Sequence, residues 1–132
     1  AGGGIRCGAA GKREVSEQPA EYAVTPTQQG MVAAFYLAKL GRLPTVDEAR
    51  RVLQEELEEL DGALIARYTP ATTLKELADV LYTCYGYAIA QGWNLTGAFE
   101  AVHRSNMTKG TATSGKIPKS DSYVPPDMEP YL

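Results

Sequence analysis

Cysteine is scarce in this chain: Cys7 and Cys84 are the only two in 132 residues, and they share no metal-ligand spacing. That excludes a disulfide framework and a thiolate metal site, and makes a reducing cytoplasm the expected location. A single histidine, His103, leaves no second imidazole for a histidine-based centre. Basic charge is also short, with 13 Lys and Arg against 16 Asp and Glu and a net charge of −3. Nucleic acid and anionic membrane surfaces are therefore not expected as partners. Long apolar runs are missing as well. The longest charge-free stretch, from Val80 to Phe99, is interrupted by Gly86, Gln91, Gly92 and Asn94 and is too short to span a bilayer. Residues 1–24 lack the apolar core of a signal peptide. What remains, 44% hydrophobic and 22% charged, is the composition of an ordinary globular domain.

Periodicity divides the chain into a flexible Gly/Ala-rich leader (1–24), an all-α domain (25–109) and an extended Pro-rich tail (110–132). In "QQGMVAAFYLAKLG", Met31, Ala34, Phe35 and Ala38 fall at helical spacing before the stop signal Gly41. A second helix opens with Thr45 three residues before Glu48, a capping-box spacing. Val46, Ala49, Leu53, Leu57, Leu60 and Leu64 give it an apolar stripe, and Pro70 is expected to end it. Thr73, three residues before Glu76, reads as the start of a third helix. Its stripe of Leu74, Leu77, Leu81, Tyr85 and Ala88 is widened by Val80, Cys84 and Ile89. A helix apolar on most sides is buried by partner helices or by a second subunit. Asn94 can cap a fourth helix through about Met107, carrying Leu95, Ala98, Phe99 and Val102. No segment alternates long enough for a sheet, so the expected class is all-α, a bundle of about four helices.

The acids are placed unusually. Glu76 and Asp79 lie at i and i+3 on a helix that otherwise needs burial, and Asp79 is a poor helix former beside Val80 and Leu81. On the second helix, "EELEE" puts Glu55, Glu56 and Glu59 on one arc, with Glu58 on the opposite side. Taken alone, that helix reads as a solvated acidic face. Two antiparallel helices can instead converge Glu56, Glu59, Glu76 and Asp79 into one pocket. A hard cation makes such a cluster tolerable, and all-oxygen ligation favours Mg²⁺, with Mn²⁺ as a substitute. After the fourth helix, "HRSNMTK" supplies Arg104, Asn106 and Lys109. These either complement the helix dipole or grip phosphate. "EAVH", Glu100 to His103, has the E-x-x-H form of di-iron bundles, but those need two such pairs.

"EELEE" followed by "ELAD" resembles the E-E-x-x-E … E-x-x-D pattern of the all-α nucleoside triphosphate pyrophosphohydrolases, the MazG-like superfamily. "ELADVLYTCYGYAIAQGWNLTGAFEAVHRSNMTK" and the ending "GKIPKSDSYVPPDMEPYL" are similar to its branch of MazG-like dUTP pyrophosphatases and phosphoribosyl-ATP-pyrophosphohydrolase-like proteins. The resemblance covers about residues 28–132. It implies Mg²⁺-dependent hydrolysis of a nucleoside triphosphate to monophosphate and pyrophosphate, often to clean the nucleotide pool, with dUTP or dCTP as candidate substrate; phosphoribosyl-ATP is the runner-up, and a non-enzymatic helical interaction module with an acidic face is the other alternative. It further implies Glu56, Glu59, Glu76 and Asp79 as metal ligands, and Glu55 as a further ligand or the base that activates water. Asn106 and Lys109 match positions that hold the triphosphate, with Arg104 adding charge. A homodimer or homotetramer is implied too. The chain departs from the branch at Tyr36, where histidine is common.

Overall fold

A computed structural model describes residues 27–112 and 115–132. The leader expected over residues 1–24, and Cys7 with it, lies outside the described residues. The fold is all-helical, as the periodicity predicts. It consists of α1 (Gln28–Leu40), α2 (Val46–Ala66), α3 (Pro70–Gln91), α4 (Leu95–Asn106) and a closing 3-10 turn (Glu129–Tyr131).

Local chemistry sets each boundary. Thr27 accepts from the Gly30 amide at 3.0 Å to open α1, and Gly41 ends it in the left-handed region (φ 75°). Thr45 caps α2 by accepting from the Glu48 amide at 3.2 Å, while its hydroxyl donates to Glu48 Oε1 at 3.1 Å. The third helix starts earlier than its expected cap. Thr69, not Thr73, is the N-cap; it accepts from the Thr72 amide at 3.3 Å, and Pro70 occupies the first turn. Proline lacks the amide that a first turn leaves unpaired anyway, so Pro70 begins α3 rather than terminating α2. The stop for α2 is Arg67, held at φ 54° with its amide bonded to the Ala63 carbonyl. Glu76 therefore sits well inside α3 and has no capping duty. Asn94 caps α4 as expected, accepting from the Gly97 amide at 3.0 Å.

The two long helices α2 and α3 form a tight hairpin, the most extensive packing in the chain, and α1 lies on α3. The core is built from small side chains, with Ala49, Ala63, Ala88 and Ala101 buried beside Val32 and Ile89. Gly86 leaves room for the Tyr36 side chain of α1: a β-carbon there would lie 2.9 Å from the Tyr36 hydroxyl. The long apolar stripe expected on α2 is only partly covered. Ala49 is buried, but Leu57 and Leu64 stay 48% and 56% exposed, because one neighbour, α3, cannot shield the whole arc. On α4 the buried face is Ala101 and Ser105, whereas Phe99 and Val102 point outward.

Gln29 ties α1 to the start of α4. Its Oε1 accepts from the amides of Leu95 (2.8 Å) and Thr96 (3.3 Å), and its Nε2 donates to the Trp93 carbonyl at 2.7 Å. The described tail runs back along α4. Ser105 Oγ donates to the Val124 carbonyl at 2.6 Å, the Val124 amide donates to Thr108 Oγ1 at 2.8 Å, and the Asn94 amide donates to the Tyr131 carbonyl at 2.8 Å. Among the described residues no helix is long and apolar enough to cross a membrane.

Candidate metal centre

Glu56 and Asp79 stand at nearly equal separations on either side of Tyr68, in the turn of the α2–α3 hairpin, so an antiparallel pairing sets them face to face. Glu76, one helical turn before Asp79, joins them. Ligand oxygens of Glu56, Glu76 and Asp79 all lie within 4.8 Å of one another, and none of the three residues is fully exposed. That span is close to what the oxygens around one hard cation occupy, given metal–oxygen distances of about 2.0–2.6 Å for Mg²⁺ and Ca²⁺.

The cluster is short of hydrogen-bond partners. Glu56 Oε2 and Glu76 Oε2 are shielded from solvent and bonded to nothing. A shielded carboxylate oxygen without a partner is costly, by about 1–3 kcal/mol or more for a charged group. Burial is the first cause of a raised Glu56 carboxyl pKa; contact with Glu59 and the negative charges of Glu59 and Asp79 push the same way, against a smaller pull from Lys75. Two orphaned oxygens, beside a carboxyl whose neighbours disfavour its charge, suit a divalent cation. The residues present fit a metal.

One cation already faces the cluster. Lys75 Nζ lies 2.7 Å from Asp79 Oδ2 and 3.6 Å from Glu76 Oε1. Asp79 and Glu76 together hold the Lys75 ammonium above its ordinary pKa, chiefly through the bond to Asp79. Sequence reasoning passed over Lys75. The signal was its four-residue separation from Asp79, which looks like any surface helix pair.

The structure thus brings together three of the four expected ligands. Glu59, the fourth, is exposed on α2 but close enough to act on Glu56. Glu55 is exposed and outside the three-acid cluster. The expected phosphate grip stands elsewhere in the chain, at the end of α4 beside the tail. Arg104 Nη2 donates to the Tyr131 hydroxyl at 3.2 Å and lines a cavity of about 350 Å³ with Val124, Pro125 and Asp127. Lys109 Nζ lies 5.9 Å from the centre of the Tyr123 ring, and Asn106 is exposed, its carbonyl accepting from the Lys109 amide at 3.1 Å. Glu100 and His103 join no acid or histidine cluster among the described residues.

The chain is of the MazG-like class of pyrophosphohydrolases, shown by a family match over residues 18–106, and its all-helical fold with motif acids gathered between two long helices agrees with that. Within that class the chain belongs to the phosphoribosyl-ATP pyrophosphohydrolase family, whose model matches residues 18–106. No individual curated protein matches it. Both acidic motifs fall inside the matched span, and proteins of this class characteristically work with a divalent metal.

Proposed function

We propose that this protein is a Mg²⁺-dependent pyrophosphohydrolase that cleaves a nucleoside triphosphate to the monophosphate and pyrophosphate. The observation that carries the reading is the convergence of Glu56, Glu76 and Asp79, with two shielded oxygens unpartnered. In this proposal those three residues and Glu59 hold the metal. When bound, the metal neutralises phosphate charge and acidifies water. Glu55, exposed on α2 next to Glu56, serves in this proposal as a further ligand or as the base that takes the proton of an attacking water. Arg104, Asn106 and Lys109 bind the polyphosphate. Within one chain they line the α4–tail surface, so a second copy of the chain is proposed to bring its own grip to the acid site. Exposed leucines on the hairpin, among them Leu57, Leu74, Leu77 and Leu81, support such a homodimer or homotetramer.

For the substrate, dUTP or dCTP is the first candidate. The family's own name favours phosphoribosyl-ATP as the second, and the same bond between α- and β-phosphorus would break in either. Incubation with Mg²⁺ and a panel of ordinary and deoxy triphosphates plus phosphoribosyl-ATP, with pyrophosphate as readout, separates them. Stepwise release of orthophosphate, with the diphosphate accumulating, would sink the proposal. Action inside the cytoplasm, on the nucleotide pool, belongs to the same proposal.

A further inference from the structure

We propose that Lys75 is the resident counterion of the acid cluster, which a divalent cation must displace from Asp79, so that this one ammonium sets the metal affinity of the site. The inference rests on the metal-binding reading given above and adds a residue to it.

Lys75 Nζ lies against two acids of the cluster at once. Lys75 stands in the second turn of α3, and an i,i+4 helix pair accounts for the shorter of its two contacts, the one to Asp79. Lysine placed four residues before an acid is the poorer of the two helical orientations. The ammonium sits 2.7 Å from Asp79 Oδ2 and also 3.6 Å from Glu76 Oε1, so the helix pair delivers its charge to two members of the acid cluster. It is the only basic side chain paired with these acids among the described residues.

The pairing is incomplete. A single positive charge faces at least three carboxylates, and Glu56 Oε2 and Glu76 Oε2 remain without partners. A divalent cation brings twice the charge and several coordination positions, so it satisfies oxygens that one ammonium does not reach. Both compete for Asp79. Displacement is easy on the lysine's side, because its side chain is 64% exposed and can turn into water on its flexible stem. Lys75 therefore does two opposed things. It relieves repulsion among the acids before metal arrives, and it weakens the binding of the metal that replaces it.

The test is an Mn²⁺ titration of the full chain followed by electron paramagnetic resonance, on wild type, Lys75→Gln and Lys75→Arg, with melting curves on the same preparations. Lys75→Gln should bind Mn²⁺ about tenfold more tightly, the order expected for removing one unit charge a few ångströms from the cation in a partly solvated site. Lys75→Arg, which keeps the charge, should stay near wild type. The metal-free Lys75→Gln protein should melt below wild type, and the gap should close at saturating Mn²⁺. Unchanged or weaker Mn²⁺ binding in Lys75→Gln overturns the proposal. So does a melting loss of equal size with and without Mn²⁺, the behaviour of a plain surface lysine. Absence of Mn²⁺ binding by the wild type is a different result; it removes the metal centre itself and this inference with it.

Discussion

The ring of Tyr131 lies so close over Gly97 that a β-carbon at residue 97 would come within 2.6 Å of Cε1 and 2.7 Å of Cδ1. Gly97 sits in the first turn of α4, the end of the chain thereby resting on the start of the helix that carries Arg104. In an exposed helix, replacing glycine with alanine usually stabilises by about 1 kcal/mol. Here the added methyl must push away an aromatic ring, at a cost of about 1–3 kcal/mol. Gly97→Ala should therefore melt lower than wild type, with unchanged helical circular dichroism and faster proteolysis of the tail. Truncation after Thr111 should likewise keep the helix content and reduce activity. A more stable Gly97→Ala protein would show that the Tyr131 contact is not made in solution.

The helix caps were legible because capping is local. Thr45 with Glu48, and Asn94 with Gly97, need only residues three positions apart. The start of α3 was misread for the same reason: Thr73 with Glu76 has capping spacing too, and a proline serves equally well as a stop or as a first-turn residue. Convergence of Glu56, Glu76 and Asp79 could be foreseen, since their spacing and a short turn between two helices fix it. The Lys75 contact could not, because its spacing does not distinguish a solvated pair from one facing other acids. Nor could the landing of Tyr131 on Gly97, two residues far apart in sequence. The exposure of Leu57 and Leu64 was hidden too, because an apolar stripe announces a need for cover without saying whether this chain or another supplies it.

Acid should loosen the start of α2. Arg50 and Arg51 hold the Asp47 carboxyl below its usual pKa, and Arg42, bonded to Glu48 at 3.0 Å, lowers that of Glu48, with help from Thr45. A carboxyl whose pKa is lower in the folded state binds protons more weakly there than in the unfolded chain. Its stabilisation is present above the ordinary carboxylate pKa of about 4 and is lost as pH falls through the lowered value. Melting temperature should drop from pH ~6 to pH ~3 more steeply in wild type than in Glu48→Gln. Parallel curves would remove Glu48 from the account. Thr45→Ala, which deletes the cap itself, should cost about 1 kcal/mol at neutral pH.

If the end of α4 grips polyphosphate, its variants should separate binding from folding. Lys109→Ala should weaken triphosphate binding by about 1–3 kcal/mol, as expected for a charge-assisted bond, while nucleoside binding changes little. Asn106→Ala should lower turnover by losing orientation of the substrate. Both residues are at least partly solvent-facing, so neither change should disturb the melting curve. Kinetics of wild-type quality in both variants would make "HRSNMTK" a helix ending and nothing more.

Removing one acid at a time should distinguish the members of the proposed metal centre by their partners. Asp79 is paired with Lys75 at 2.7 Å, whereas Glu56 Oε2 has no partner and its carboxyl is raised by burial, Glu59 and Asp79. Without metal, Glu56→Gln relieves repulsion and sacrifices no ion pair, so it should melt above wild type. Asp79→Asn relieves repulsion but also gives up its ammonium, and the two effects offset, leaving it near wild type. Because the Glu56 carboxyl holds its proton to higher pH when folded, its contribution has the opposite sign to those of Asp47 and Glu48. Metal-free wild type should gain stability from Glu56 as pH falls through that raised value toward the ordinary carboxylate range, and Glu56→Gln should lack the gain. With Mg²⁺ at a hundred times its dissociation constant, a ligand that binds only the folded state adds roughly 2.7 kcal/mol. That gain should appear in wild type and shrink sharply in both variants, with hydrolysis falling by orders of magnitude. Melting curves with and without Mg²⁺, beside a turnover assay, give all of these at once. Should either variant keep full activity and a normal response to Mg²⁺, that residue is not a ligand.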